Sequence, residues 1–273
     1  MSRIANVFAA LKAQNRKALI PYITAGDPQP QATVELMHTL VEAGADLLEL
    51  GVPFSDPMAD GPVIQAACER ALVHHVSLHD VLEMTSQFRR TNTDTPVILM
   101  GYLNPVEIMG YRAFALQAEK AGVDGLLTVD LPPEESHDLV DALNHSGIDP
   151  IFLAAPTTTK ERLEKITHAG SGFVYYVSFK GVTGANALDV NAVAEKVNQI
   201  RQITPLPVGV GFGIRDAESA AQIAQVADAV VVGSAIVKKI AADANDMQKI
   251  KAEVSKLVGS IREAIDAVAR QAA

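Results

Sequence analysis

Two carboxylates flank a stiff loop. Glu49 stands inside the apolar run Asp46-Leu-Leu-Glu49-Leu-Gly-Val52, and Asp60 closes the segment Pro53-Phe-Ser-Asp56-Pro-Met-Ala-Asp60 that follows it. A charge within such a run must face a cavity or a partner, because an unpaired buried carboxylate is costly. Two carboxylates at a strand end and in its following loop can work together as proton donor and acceptor. Asp56 reads instead as a loop acid that serves neighbouring backbone groups. No cation lies near Glu49 in sequence, and strand parity puts it on one face with Leu47 and Gly51. Parity leaves open which face that is.

The elements that must position this pair follow from recurring short apolar runs. Candidate strands cover 18–24, 46–51, 96–101, 125–129, 149–154, 173–178, 207–212 and 229–233. Helical periodicity fills 31–43, 77–90, 105–121, 133–146, 160–169, 189–201, 216–225 and 246–270 between and after them. Ser77-x-x-Asp80 has the form of a capping box, and Gly44, Gly122, Gly147 and Gly170 follow helical runs as left-handed C-terminal glycines do. Eight strand–helix steps predict right-handed crossovers and a closed parallel (β/α)8 TIM barrel, an α/β fold, rather than an open doubly wound sheet. A further helix at 2–14 is placed to plug the N-terminal end. No linker or low-complexity tract interrupts the 273 residues, which read as one domain.

Composition narrows the partners. Hydrophobic residues make up 48% of the chain, enough for a large core, and with no Trp and 5% aromatics the packing rests on aliphatic side chains. The net charge of −9, without basic clusters, argues against nucleic acid. No apolar run approaches the roughly 20 residues of a membrane helix, and no export signal opens the chain. The single cysteine, Cys68, suits a reducing compartment and reads as a structural thiol, so a soluble cytoplasmic protein is expected. His75 and His79 are parted by the Ser77 cap, which disfavours a metal site.

In a barrel the working residues gather at strand C-termini and in the loops beyond. That rule selects Tyr22, Thr24, Glu49, Gly101, Tyr102, Asn104, Asp130, Tyr175, Gly211, Gly213, Gly233 and Ser234. The glycines of Gly209-Val-Gly211-Phe-Gly213-Ile214 permit close backbone approach, and Gly233-Ser234 opens a short helix whose first N–H groups favour an anion. Together they form a candidate phosphate cradle. A dinucleotide fingerprint is disfavoured because Ile214 stands where its last glycine belongs. The segment 179–187, with Gly181 and Gly184, suits either a lid or an ordinary connection, and Gly184 can also lend an N–H to a phosphate; Lys180 reads as a solvated loop residue.

Pro21-Tyr-Ile-Thr-Ala-Gly-Asp-Pro28, the block from Gly44 to Pro62, Tyr102-Leu-Asn-Pro105, Gly181-Val-Thr-Gly184, Gly211-Phe-Gly-Ile214 and Gly233-Ser-Ala-Ile-Val237 occur in order along nearly the whole chain. In this the chain resembles the tryptophan synthase α-subunit family. The resemblance implies a lyase that cleaves indole-3-glycerol phosphate to indole and glyceraldehyde 3-phosphate. No cofactor is then expected in this subunit, and the partner is a pyridoxal-phosphate β subunit in an α2β2 tetramer. It further implies Glu49 as the acid–base residue, Asp60 at the indole N–H, and Tyr22 and Tyr175 in the substrate pocket. Gly184, Gly213, Gly233 and Ser234 would serve the phosphate end, with Gly211 also among the substrate-binding residues. The loops 53–60, 102–105 and 131–134 would face the partner. Tyr22 stands where the family more often carries Phe. Alternatives are a free-standing indole-glycerol-phosphate lyase, another phosphate-gripping barrel isomerase or synthase, and a catalytically idle subunit.

Overall fold

The computed structural model describes residues 2–178, 189–211 and 213–271. Its strands are β1 (Ala18–Thr24), β2 (Leu48–Gly51), β3 (Val97–Gly101), β4 (Gly125–Thr128), β5 (Asp149–Ile151), β6 (Leu153–Ala154), β7 (Val174–Val177), β8 (Val208–Gly211) and β9 (Ala229–Val232). All pairings are parallel, in the order β5-β4-β3-β2-β1-β9-β8-β7-β6. The terminal members of that order are consecutive in the chain, separated only by Phe152, so the sheet curls into a barrel of eight staves. The fifth stave is broken in two, where a single strand over 149–154 was expected. Its first half pairs with β4 and its second with β7, and Pro150 within it has no N–H to give.

Around the staves lie α1 (Arg3–Ala13), α2 (Ala32–Glu42), α3 (Pro62–Leu72), α4 (Leu78–Arg89), α5 (Leu103–Met109), α6 (Tyr111–Ala121), α7 (His137–His145), α8 (Lys160–Ala169), α9 (Val190–Arg201), α10 (Ala217–Ala224), α11 (Ser234–Ala242) and α12 (Met247–Gln271). The helix expected over 105–121 is two, divided at Gly110, whose φ of 85° no α-helical residue can hold. Ser77 forms the expected capping box with Asp80 at the start of α4, which places His75 outside that helix and His79 within it. Gly44, Gly122 and Gly147 have positive φ as expected. Gly170 does not: its φ is −91°, so α8 ends in extended backbone.

Both faces of the strands are buried. Their outer face packs on the helices through residues such as Leu19, Leu48, Leu99, Val210 and Val230. Their inner face forms a second cluster, including Ile20, Leu47, Ile98, Leu127, Ile151, Phe173 and Val231, into which α1 inserts Ile4, Phe8 and Leu11. The N-terminal helix therefore plugs the foot of the barrel. At that foot one bond recurs. Asp46, Asp124 and Asp228 each precede a strand and accept the N–H of Leu19, Val97 and Val208 on the neighbouring strand, at 2.8, 2.8 and 2.9 Å. Each is also paired with an arginine: Arg262 at 2.8 Å, Arg89 at 2.6 Å and Arg201 at 2.9 Å. Charge-assisted bonds of this kind fix strand register where the chain enters the sheet.

Candidate active site

At the opposite end of the barrel, a cavity with about 620 Å³ of empty space opens to solvent. Its walls include Tyr22, Glu49, Asp60, Tyr175, Gly213, Gly233 and Ser234, together with Ile64, Met100 and Val231. The question that parity left open is thus answered: Glu49 points inward. Its neighbours in register are Tyr22 on β1 and Ile98 on β3, two interior side chains.

Glu49 is 2% exposed, and its Oε1 has no hydrogen-bond partner among the described residues. Burial, and secondarily the nearby charge of Asp60, push its carboxyl up to about 8. A neutral acid held at this depth is ready to give a proton. Asp60 is also raised by burial, and a hydrogen bond from Tyr102 opposes the rise. The Tyr102 hydroxyl donates to Asp60 Oδ2 at 3.0 Å and accepts the Ala59 N–H at 3.0 Å, while its ring stacks on Phe54 with centroids 5.0 Å apart. Gln65, on the first turn of α3, donates to the Asp60 carbonyl at 2.9 Å. The loop carrying Asp60 is therefore held by its own helix and by the strand-three loop.

The helix α3 is itself anchored. Arg70 grips the fully buried Asp27 through two bonds of 2.7 and 2.8 Å, the planar fork matching the carboxylate. Asp56 takes part only locally, but its partner is the Ser55 hydroxyl, which donates to it at 2.5 Å, and not the backbone N–H groups expected. Asp130 accepts the Leu103 N–H at 2.8 Å and so caps α5.

Tyr22 and Tyr175 occupy equivalent seats on two walls. Each ring leans forward along its strand, as strand side chains do, over a glycine of the next strand. A Cβ on Gly51 would lie 2.1 Å from the Tyr22 hydroxyl, and one on Gly211 would lie 2.3 Å from the Tyr175 hydroxyl. Gly211 is thus the seat of Tyr175 and is not part of the cavity wall. Burial drives both phenols well above their ordinary value, so they stay protonated.

Gly213, at φ 79°, needs the freedom of glycine to turn the chain toward the cavity. Gly233 and Ser234 open α11, and no side chain caps it. The first N–H groups of that helix and its positive dipole end have the chemistry to receive an anion. Gly184, Lys180 and the rest of the segment 179–187 lie outside the described residues, as does Phe212. Among the described residues no cluster of His, Cys, Asp or Glu is arranged to hold a metal, and no helix is long and apolar enough to cross a membrane. Sequence position alone selected Tyr102 without giving it a task. Its bond to Asp60 spans 42 positions, and only an aromatic directly after a strand hinted at it.

Comparison with known proteins agrees along the whole length. The family profile described as tryptophan synthase alpha chain matches residues 8–266. A tryptophan synthase alpha chain of Thioalkalivibrio sulfidiphilus is 66% identical over 266 residues, covering 97% of this chain and 100% of that one. One from Nitrosococcus oceani is 64% identical over 267 residues, covering 98% of each. The crystal structure of tryptophan synthase subunit alpha from Legionella pneumophila superposes with a TM-score of 0.91 at 48% identity, covering 98% of this chain and 99% of that one.

Proposed function

Since this chain belongs to the tryptophan synthase alpha chain family, and so is a lyase of the α reaction that cleaves indole-3-glycerol phosphate, we propose that Glu49 and Asp60 carry out that cleavage. The observation behind this is their convergence on one cavity whose wall also includes Gly213, Gly233 and Ser234, with Glu49 buried and its Oε1 unpartnered among the described residues. The phosphate would rest against the opening of α11 and the Gly213 turn. The indole ring would then lie between Tyr22 and Tyr175, with its nitrogen toward Asp60.

The steps balance. Glu49 enters neutral and gives its proton to indole C3, which places positive charge on the ring nitrogen. Asp60, steered by Tyr102, accepts the nitrogen's N–H and stabilises that charge. The Glu49 carboxylate then takes the proton of the glycerol hydroxyl on the carbon attached to C3. The new carbonyl forms as the C–C bond breaks, and the bonding pair returns to the ring. Indole and glyceraldehyde 3-phosphate leave, and Glu49 is again protonated. A positioned acid–base group supplies about 10²–10⁴-fold, and the phosphate grip adds orientation. No metal or organic cofactor is needed for these steps.

The partner would be a tryptophan synthase β subunit carrying pyridoxal phosphate, in an α2β2 assembly. The loop holding Asp60 supports this reading: Met58, beside it, is 77% exposed, and Ile108 on α5 is 79% exposed. A partner on this face would bear directly on the Asp60 loop. Cytoplasmic residence fits such a role. The decisive experiment is Glu49→Gln assayed for indole release and for binding of a phosphate-bearing substrate analogue. Indole release should fall by at least 10²-fold while analogue binding survives; full activity would end the proposal.

A further inference from the structure

The Tyr22 hydroxyl, present where relatives of this kind were expected to carry Phe, lies 3.1 Å from Thr24 Oγ1, and both residues are buried. The Tyr22 ring has close neighbours. It is packed with Ala67 and Val237 and seated over Gly51, and a Cβ on Gly233 would lie 3.5 Å from its own Cβ. Its register partner on the next strand is Glu49. Two side chains in register on the same face of adjacent strands stand beside one another. The Tyr22 hydroxyl instead reaches over Gly51 to Thr24, and among the described residues Glu49 Oε1 has no partner.

We propose that Thr24 is a positioning residue that holds the Tyr22 hydroxyl to itself, so that Glu49 remains unbonded until substrate arrives. The inference rests on the acid–base reading of Glu49 and adds to it a device particular to a chain with Tyr at position 22. Without Thr24 Oγ1, the buried Tyr22 hydroxyl would lose its partner, a state that costs enough to drive it toward another acceptor. Among the described residues, Glu49 Oε1 is the one buried side-chain oxygen left unsatisfied. A phenol donating to Glu49 would favour its charged form and remove the proton donor that the reaction begins with. The titratable groups around Glu49 are Asp60 from the loop before α3, Tyr22 on β1 and Tyr175 on β7, with Cys68 of α3 facing Tyr22 and Asp60. Among the described residues none of these groups is a cation that would hold Glu49 ionised.

The test is a cycle of Thr24→Val, Tyr22→Phe and the double variant, with Thr24→Ser as the conservative control. The position of the Glu49 titration is read by carboxyl ¹³C NMR in the ligand-free protein and by the pH profile of kcat/KM. Thr24→Val should move the Glu49 titration down by about one pH unit or more, and adding Tyr22→Phe should return it. Thr24→Ser should leave it in place. An unmoved Glu49 titration in folded Thr24→Val would overturn the proposal. So would a shift that Tyr22→Phe fails to reverse, or a shift seen at Asp60 alone. The NMR reading requires no turnover, so it stands apart from the Glu49→Gln test of the reaction itself.

Discussion

Tyr102 donates its phenolic hydrogen to Asp60 across 3.0 Å while taking the Ala59 N–H on its other side. The carboxylate is thereby aimed by a residue from a different βα loop. Tyr102→Phe keeps the Phe54 stack but removes both bonds. Loss of one such bond to a charged group is worth about 1.5–3 kcal/mol. A fall of roughly 10–100-fold in kcat/KM for indole release is therefore expected, with the far-UV dichroism and unfolding midpoint close to wild type.

The raised carboxyl of Glu49 has a consequence for pH. Its folded value of about 8 lies above the ordinary carboxyl value of 4.5, so between those limits the folded state holds a proton that the unfolded state has lost. Its contribution to stability is fully present below pH 4.5 and is lost as pH rises through about 8. Wild type should therefore lose stability relative to Glu49→Gln by about 1.4 kcal/mol per pH unit within that window. Paired urea titrations from pH 5 to pH 8 check the slope; parallel curves would contradict it. In the same range kcat/KM of the wild type should fall as pH passes about 8, because the reaction starts from the neutral acid.

Gly211 is needed as a seat. Gly211→Ala would set a Cβ 2.3 Å from the Tyr175 hydroxyl and 2.7 Å from its ring carbon, so the ring must be displaced. Overpacking of this kind costs about 1–3 kcal/mol. Denaturant unfolding should show that loss, and steady-state kinetics should show an increase in KM for the substrate. An unchanged KM would separate Tyr175 from the substrate.

At the barrel foot, Asp124 is 4% exposed and serves Arg3, Arg89 and the Val97 N–H together. Asp124→Ala strands a nearly buried guanidinium, a change that costs about 3–5 kcal/mol. The unfolding midpoint should drop accordingly, while kcat of the fraction that remains folded, measured well below the melting temperature, stays within about twofold.

Met58 offers a reading of the partner face. Met58→Glu places a charge on an exposed apolar side chain that touches neither the cavity wall nor Asp60's hydrogen bonds. Activation of indole release on adding a tryptophan synthase β subunit should weaken at least 10-fold in the concentration required. An unchanged activation curve would remove Met58 from the interface.

The frame of the barrel could be read from the chain because each stave is a short aliphatic run between helices with their own punctuation. Glu49 and Asp60 stood out because a charge in an apolar run must have a use. What escaped the sequence was pairing across distance. Parity could not orient Glu49, since β2 is buried on both faces and shows no alternation of buried and exposed positions. The bond from Tyr102 to Asp60, the fork of Arg70 on Asp27 and the seats of Tyr22 and Tyr175 all join separate βα units. The break at Gly110 was hidden because the residues on both sides form good helix. Gly170 follows its helix as a left-handed cap would, yet Gly172, two positions on, is the one that takes positive φ.

The aspartates that clasp Leu19, Val97 and Val208 fasten three of the seams between neighbouring strands: β1 to β2, β3 to β4 and β8 to β9. The other seams, including those on either side of the broken fifth stave, have no such clasp among the described residues. Strain on the ring is therefore not shared evenly. Opening of the wall is expected first at the unfastened seams, with each fastened pair moving as a two-stave unit, and amide exchange should be slowest at Leu19, Val97 and Val208, inside those units.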